Sequence, residues 1–326
     1  MFGFVLMSGR RWDHCRKMTP VANDEFLYSP ITPDTDVLLS SVSSASLLAP
    51  ANEVEDWDWD LPYIPTGTVR WRPSRLRNEV GLLYDAMSFM NWQYSRVFNT
   101  HVTLTFSKMC IGDHREAARL MPHWNKEMKR WLAIGPDKSR KRWKKRVRAA
   151  EPSPHLWVYV FENGRDKGFH AHQLCCVPDS QVKAFEAHTL AWWRREAWID
   201  FPADAIEVRH CRTYDEKSGY ERQVEWFRYL IKSAARDFGY FGLDGQVHSV
   251  DEIFKLAPYW ETNPVYSPRL HGICHELSMK KRREAGFVSK LGSCELDEVY
   301  SGWEFDARRE RIKAEETAAF LATLNI

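Results

Sequence analysis

The spacing of apolar and polar residues changes period several times along this chain, and each change marks an element. "SRLRNEVGLLYDAMSFMNWQY", from Ser74 to Tyr94, has a serine start signal and apolar residues at helical spacing, and reads as a lead-in helix. "THVTLTFSK" from Thr100 alternates β-forming residues and reads as a strand. "DHREAARLMPHWNKEMKRWLAI" opens on an aspartate cap and returns to helical spacing, with Pro122 expected to interrupt or kink it. "HLWVYVFE" (His155 to Glu162) and "GFHAHQLCCV" (Gly168 to Val177), joined by the turn-rich "NGRDK", predict a β-hairpin with a five-residue loop. A helix from about Asp179 to Ala197, a strand "AIEVRHCR" from Ala205 to Arg212, and a helix from about Glu221 to Phe238 complete the regular part.

This order of strand, helix, hairpin, helix, strand and helix predicts an α+β domain, with a mainly antiparallel central sheet covered by helices. The pattern weakens on both sides of it. Residues 1–69 mix Ser, Pro and acidic groups without sustained periodicity, so they are expected to form a flexible, poorly ordered acidic extension. Residues 70–240 hold the folded domain, and 241–326 form a less regular, helical C-terminal region ending in the charged amphipathic helix "FDARRERIKAEETAAFLATL". No internal repeat is visible.

Composition narrows the class. A chain of 326 residues with 44% hydrophobic and 13% aromatic content can bury a substantial core. Its apolar runs fall far short of the roughly 20 residues of a membrane helix, and "MFGFVLMSGRR" carries its charges after the apolar run. Neither a membrane span nor a signal peptide is expected. The seven cysteines form no CxxC pair, and Cys175 and Cys176 are adjacent on a predicted strand, which does not suit a disulfide framework. The expectation is a reducing, cytoplasmic compartment.

A net charge of +2 conceals an asymmetry. Residues 1–69 hold 4 Lys+Arg against 10 Asp+Glu, whereas residues 70–150 hold 19 against 6. The densest stretch, "KSRKRWKKRVR" from Lys138 to Arg148, sets Arg140, Lys141, Arg142, Lys144, Lys145 and Arg146 around Trp143. Cations with an interleaved aromatic suit phosphates and stacked bases, which makes these seven residues a candidate DNA-binding arm. A solvated basic loop is the plainer alternative.

The candidate chemistry begins in "GFHAHQLCCVP". On a strand, side chains two apart share a face, so His170 and His172 point the same way while Ala171 turns to the opposite layer. With a five-residue loop, Phe161 opposes Phe169, Val160 opposes His170 and Val158 opposes His172; Glu162 then shares the histidine face as an oxygen ligand. A loop one residue shorter or longer would turn Glu162 away. Two histidines and a carboxylate with open positions suit a divalent ion acting as a Lewis acid on a phosphate. A His-x-His pair alone is common on strands that bind nothing.

In "WFRYLIKSAARDF" from Trp226, Tyr229 and Lys232 are three apart on a predicted helix, hence on one face. A tyrosine hydroxyl is a poor nucleophile at neutral pH, and a polarised phosphodiester with a nearby cation lowers the barrier to its attack. Other candidates are weaker. "HGICH" (His271 to His275) offers two histidines and Cys274 but lacks the second half of a zinc site. Tyr220 and Tyr240 flank the helix as reserve nucleophiles, and Trp131, Trp143, Trp192 and Trp193 are either base-stacking surfaces or core.

Three of these blocks, in this order, resemble the HUH endonucleases, and among them the rolling-circle replication initiators (Rep proteins) of phages, plasmids and single-stranded DNA viruses. "HVTLTF" (His101 to Phe106) is similar to the first motif of that family, "ENGRDKGFHAH" to its metal motif and "YLIK" to its nucleophile motif. The likeness covers roughly residues 97–240. It implies a HUH/Rep-like domain with a ferredoxin/RRM-like core, and Mg²⁺ or Mn²⁺ held by His170, His172 and Glu162. It also implies that Tyr229 attacks to give a 5′-phosphotyrosine, with Lys232 in support.

The activity implied is sequence-specific nicking and rejoining of single-stranded or hairpin DNA at a replication origin. Host helicase and polymerase would be partners, since no GxxxxGK[ST] phosphate loop occurs. The tyrosine follows the histidines, unlike the usual order in relaxases, and Glu225 stands where two-tyrosine initiators carry a second tyrosine. A one-tyrosine enzyme is the expectation. A single-tyrosine HUH transposase and a noncatalytic DNA-binding regulator on the same fold remain as alternatives.

Overall fold

The computed structural model describes residues 76–134, 153–212, 216–257, 262, 263, 265, 267 and 269–324. The 1–69 extension and the basic residues Arg140, Lys141, Arg142, Trp143, Lys144, Lys145 and Arg146 lie outside the described residues. In chain order the elements are α1 (Glu79–Tyr94), β1 (Thr100–Thr105), α2 (His114–Ile134), β2 (Trp157–Gly164), β3 (Gly168–Cys175), α3 (Val182–Ala197), β4 (Ile206–His210) and α4 (Glu216–Leu230). There follow β5 (Gly239–Phe241), β6 (Val247–Ser249), α5 (Val250–Phe254), β7 (His271–Ile273), α6 (Met279–Glu284) and α7 (Trp303–Leu324). Strands β4-β1-β3-β2-β7, in that spatial order, form one antiparallel sheet, while β5 and β6 make a separate ribbon.

Helices cover both sheet faces, so β1 is buried along its whole length. Val102 and Leu104 point into one layer; His101, Thr103 and Thr105 point into the other. Helices α2 and α3 pack on the apolar side. There the ring of His114 stacks on Phe169, Trp193 meets Phe106, and Trp124 meets Trp193. Trp131, Trp192 and Trp193 are all buried, which assigns them to the core. One polar group crosses this layer: the Asn125 amide donates to Gln173 and accepts from it, both at 3.0 Å. Asn125 Oδ1 also accepts from His155 Nε2 at 3.0 Å. The Asn125 and Gln173 amides thus satisfy each other, as burial requires.

Four expectations change. Pro122 neither breaks nor ends α2, which is continuous through it. A helical proline costs about 3 kcal/mol, and buried Met121, Trp124, Met128 and Leu132 hold the helix together on either side of it. Helix α4 stops at Leu230 instead of Phe238, so Lys232 follows the helix in a turn. Helix α1 is more than a lead-in: ten of its sixteen residues are buried, as befits a helix apolar nearly all round. It packs against the C-terminal region, through Arg282 to Asp85 at 3.2 Å, the Ser88 hydroxyl to Glu304 at 2.5 Å, and Phe287 against Phe89. Finally, the pattern of the last helix reflects partial packing. Glu304 and Phe305 of α7 are buried, whereas residues 313–324 are exposed.

Residues beyond 241 also supply β7, the sheet edge beside β2. Among the described residues no helix is long and apolar enough to cross a membrane, and the described cysteines are free thiols.

Two measurements test this packing. Gly272 on β7 faces Tyr159, and a Cβ there would lie 2.3 Å from the Tyr159 ring. Gly272→Ala should therefore lower stability by about 1–3 kcal/mol, read as a lower urea midpoint. Complete burial, followed by the nearby Lys129 charge, pushes the His155 imidazole down to about 3. An unfolded histidine protonates near pH 6.5, so the stability from keeping His155 neutral is complete above that pH. It is lost as pH falls toward the folded value, at up to about 1.4 kcal/mol per pH unit. Urea unfolding at pH 7, 6 and 5 should show this decline, and His155→Gln should reduce its slope by about one proton.

Candidate metal centre and tyrosine cleft

In the β2–β3 hairpin, Glu162 lies opposite His170, Phe161 opposite Ala171 and Val160 opposite His172. This corrects the expected pairing by two residues. Asn163 and Gly164 extend β2, which leaves the three-residue loop Arg165–Lys167. Gly168 closes the turn at φ 66°, a conformation that favours glycine. A shift of two preserves the alternation, so Glu162 stays on the histidine face.

Glu162, His170 and His172 are only 4%, 3% and 0% exposed. Their ligand atoms lie within 4.8 Å of one another. His170 Nε2 and His172 Nε2 are 3.1 Å apart, with Glu162 Oε2 at 3.8 and 3.6 Å from them. His170 Nδ1–H donates to the Gly168 carbonyl at 2.7 Å, so its Nε2 lone pair faces inward. His172 Nδ1 lies 3.2 Å from both Thr103 Oγ1 and His101 Nε2, which orient that ring in the same way.

Burial holds His172 well below its ordinary pKa and lowers His170, with Lys232 adding to the effect on both. Burial, then Arg209 and Lys232, push His101 down to about 3. Two neutral imidazoles and a carboxylate converge here, and an ion with bonds of about 2.1 Å holds neighbouring donors about 3 Å apart. This buried Glu-His-His group could bind a metal ion. It is the one such group among the described residues. The "HGICH" stretch forms none: His271 lies on β7, and burial pushes the Cys274 thiol up to about 12.

Tyr229, in the last turn of α4, sets its ring edge-on to His172 at 4.9 Å and to His101 at 5.8 Å. It is 41% exposed and opens onto a cleft of about 810 Å³, which Arg165, Lys167, Glu225, Arg228 and Lys232 also line. The Lys232 ammonium donates to Glu162, lies 3.3 Å from His172 Nε2, and sits 3.9 Å over the Tyr229 ring. Burial lowers the Lys232 pKa against the pull of Glu162. Burial, then the Glu162 charge, raise that of Tyr229, and Arg209 opposes them.

No protein-family model, curated protein or solved structure matches this chain.

Four of the five residues singled out for metal and catalysis thus meet directly, with His170, His172 and Glu162 converging and Lys232 bridging to them; Tyr229 lies against the same group. Tyr220 and Tyr240 do not line this cleft. Tyr220 packs on Phe305, and the Tyr240 hydroxyl lies beside Gly81 of α1. His101 and Thr103 were missed as partners of His172, because their role depends on which strands pair. Lys232 occupies two of the three donors, so it competes with any cation there. Calorimetric Mn²⁺ titration should show binding lost in His170→Ala and His172→Ala, weakened about 10–100-fold in His101→Ala, and tightened in Lys232→Met. The metal-free Lys232→Met protein should also be less stable by about 3–5 kcal/mol, because Glu162 is left buried and unpaired.

Proposed function

We propose that this protein is a metal-dependent, single-tyrosine DNA endonuclease and strand transferase of the HUH type, which nicks and rejoins single-stranded DNA to initiate rolling-circle replication. The observation that carries the reading is the half-exposed Tyr229 held against His172 of the buried Glu162, His170 and His172 group. The run β1-α2-β2-β3-α3-β4, with spatial order β4-β1-β3-β2, supports it as the split β-α-β arrangement of ferredoxin-like sheets.

On this reading His170, His172 and Glu162 hold Mg²⁺ or Mn²⁺. Such an ion supplies Lewis-acid polarisation of the scissile phosphate and cancels the Glu162 charge that raises the Tyr229 pKa. The Tyr229 oxygen attacks phosphorus and the bond to the 3′ oxygen breaks, leaving a 5′-phosphotyrosine and a free 3′-hydroxyl. The phenol loses one proton and the departing oxygen gains one. Lys232, freed from Glu162, offsets charge on the phosphate. A host polymerase extends the 3′ end, a host helicase unwinds the duplex, and attack by a later 3′-hydroxyl reverses the link and rejoins the strand. Arg165, Lys167 and Arg228 line the cleft as phosphate contacts. The segment Lys138–Arg148 supplies more of them.

The test is a denaturing gel of the protein with labelled single-stranded DNA from its own replicon, with Mn²⁺ or EDTA. A metal-dependent, protease-sensitive band should form and disappear in Tyr229→Phe, while DNA binding persists. An adduct surviving in Tyr229→Phe would move the nucleophile elsewhere. Binding of origin DNA without any adduct would make this a regulator.

A further inference from the structure

Arg209 and Glu207 lie on β4, the edge of the sheet among the described residues, opposite His101 and Thr103 respectively. Directly paired residues share a face, so both side chains stand on the side of the sheet that carries His170 and His172. Arg209 Nε and Nη2 donate to one Glu207 oxygen at 2.7 and 2.6 Å. Lys167, from the β2–β3 loop, lies 3.9 Å from the other oxygen. One carboxylate is therefore shared by two cations, one from its own strand β4 and one from the β2–β3 loop. The side chains of Arg209, Glu207 and Lys167 are 62%, 41% and 45% exposed, so these ion pairs add little to the fold. Across the sheet, this trio stands on the β4 side of His172 and the Glu162–Lys232 pair on the β2 side. The Arg209 and Glu207 charges both reach Tyr229.

We propose that Lys167 and Arg209 form a second phosphate subsite, which takes the backbone phosphate of the nucleotide adjoining the scissile linkage. Glu207 is its internal occupant, displaced when the strand arrives. A carboxylate with two oxygens and one negative charge resembles the nonbridging oxygens of a phosphodiester. The guanidinium fork already presents two N–H groups to it, as it would to a phosphate, while the lysine adds a point charge. Among the described residues no strand pairs with the outer edge of β4, and the DNA strand would pass there. The subsite rests on the nicking role given to Tyr229, and its test keeps the two apart.

Binding of single-stranded origin DNA should weaken about tenfold at low salt in Arg209→Ala and in Lys167→Ala, with the slope of log affinity against log salt falling by about one in each. Glu207→Gln should do the opposite and tighten binding, because it removes the competing anion. A neutral methylphosphonate adjoining the nick should weaken binding to the wild type but not to the Lys167→Ala/Arg209→Ala double variant. Weaker binding in Glu207→Gln, or the same methylphosphonate penalty in the double variant, would overturn the subsite. Adduct formation by the wild type is scored separately. An adduct with either of those results removes the subsite alone; no adduct on bound origin DNA removes the nicking role, and the subsite with it.

Discussion

Glu162 is a carboxylate buried inside a sheet–helix layer, and the arrangement around it follows from the need to compensate that charge. An unpaired buried carboxylate costs several kcal/mol, and here Lys232 supplies the partner. Lys232 lies one turn past Tyr229, and its backbone N–H donates to the Tyr229 carbonyl at 3.4 Å. The ion pair therefore fixes the end of α4 against β2, and with it the Tyr229 ring against His172. The position of the tyrosine is a by-product of electrostatics between a strand and a turn. Neither charge can be removed without leaving the other stranded.

The sheet divides its labour between faces. On the α2 and α3 side, aromatic rings and the Asn125–Gln173–His155 group fill the layer. On the α1 and α4 side, β1 presents His101, Thr103 and Thr105, and the layer opens at one end into the Tyr229 cleft. The rigid face supports the polar one. His101 and Thr103 cannot turn away from His172 without disturbing Val102 and Leu104, which the same strand buries in the opposite layer.

What could be read from sequence depended on how local each signal was. His170 and His172 were legible because a period of two needs no knowledge of partners. Glu162 was placed correctly although the loop was misjudged, since an error of two residues leaves a strand's faces unchanged. Tyr229 and Lys232 kept their spacing because the turn after Leu230 continues the helical path for a few residues. Features that depend on tertiary contact were not legible. The burial of α1 arises from residues some 200 positions away, and β7 is three residues long, too short for any periodicity. Pro122 obeyed the local rule poorly, because packing on the sheet outweighed the lost hydrogen bond. Glu207 and Arg209 alternate in "EVR" just as the histidines do, but two exposed charges on an edge strand carry no sign of chemistry until their neighbours are known.

The long separation between α1 and its partners also sets an order of assembly. Among the described elements, ribosomal synthesis delivers α1 first, then β1 to β4, α4 and the turn that follows it, which together contain Glu162, His170, His172, Tyr229 and Lys232. Arg282, Phe287 and Glu304, which close over α1, emerge about 200 residues later. Until then, among the described residues, the apolar surface of α1 is covered by the sheet, by Phe227 and Gln223 of α4 and by Phe254 of α5, but not by the C-terminal segment. The chemistry can be assembled before the C-terminal segment emerges, but α1, made ahead of it, is sealed only afterwards, and that interval is when the nascent protein is most exposed to aggregation.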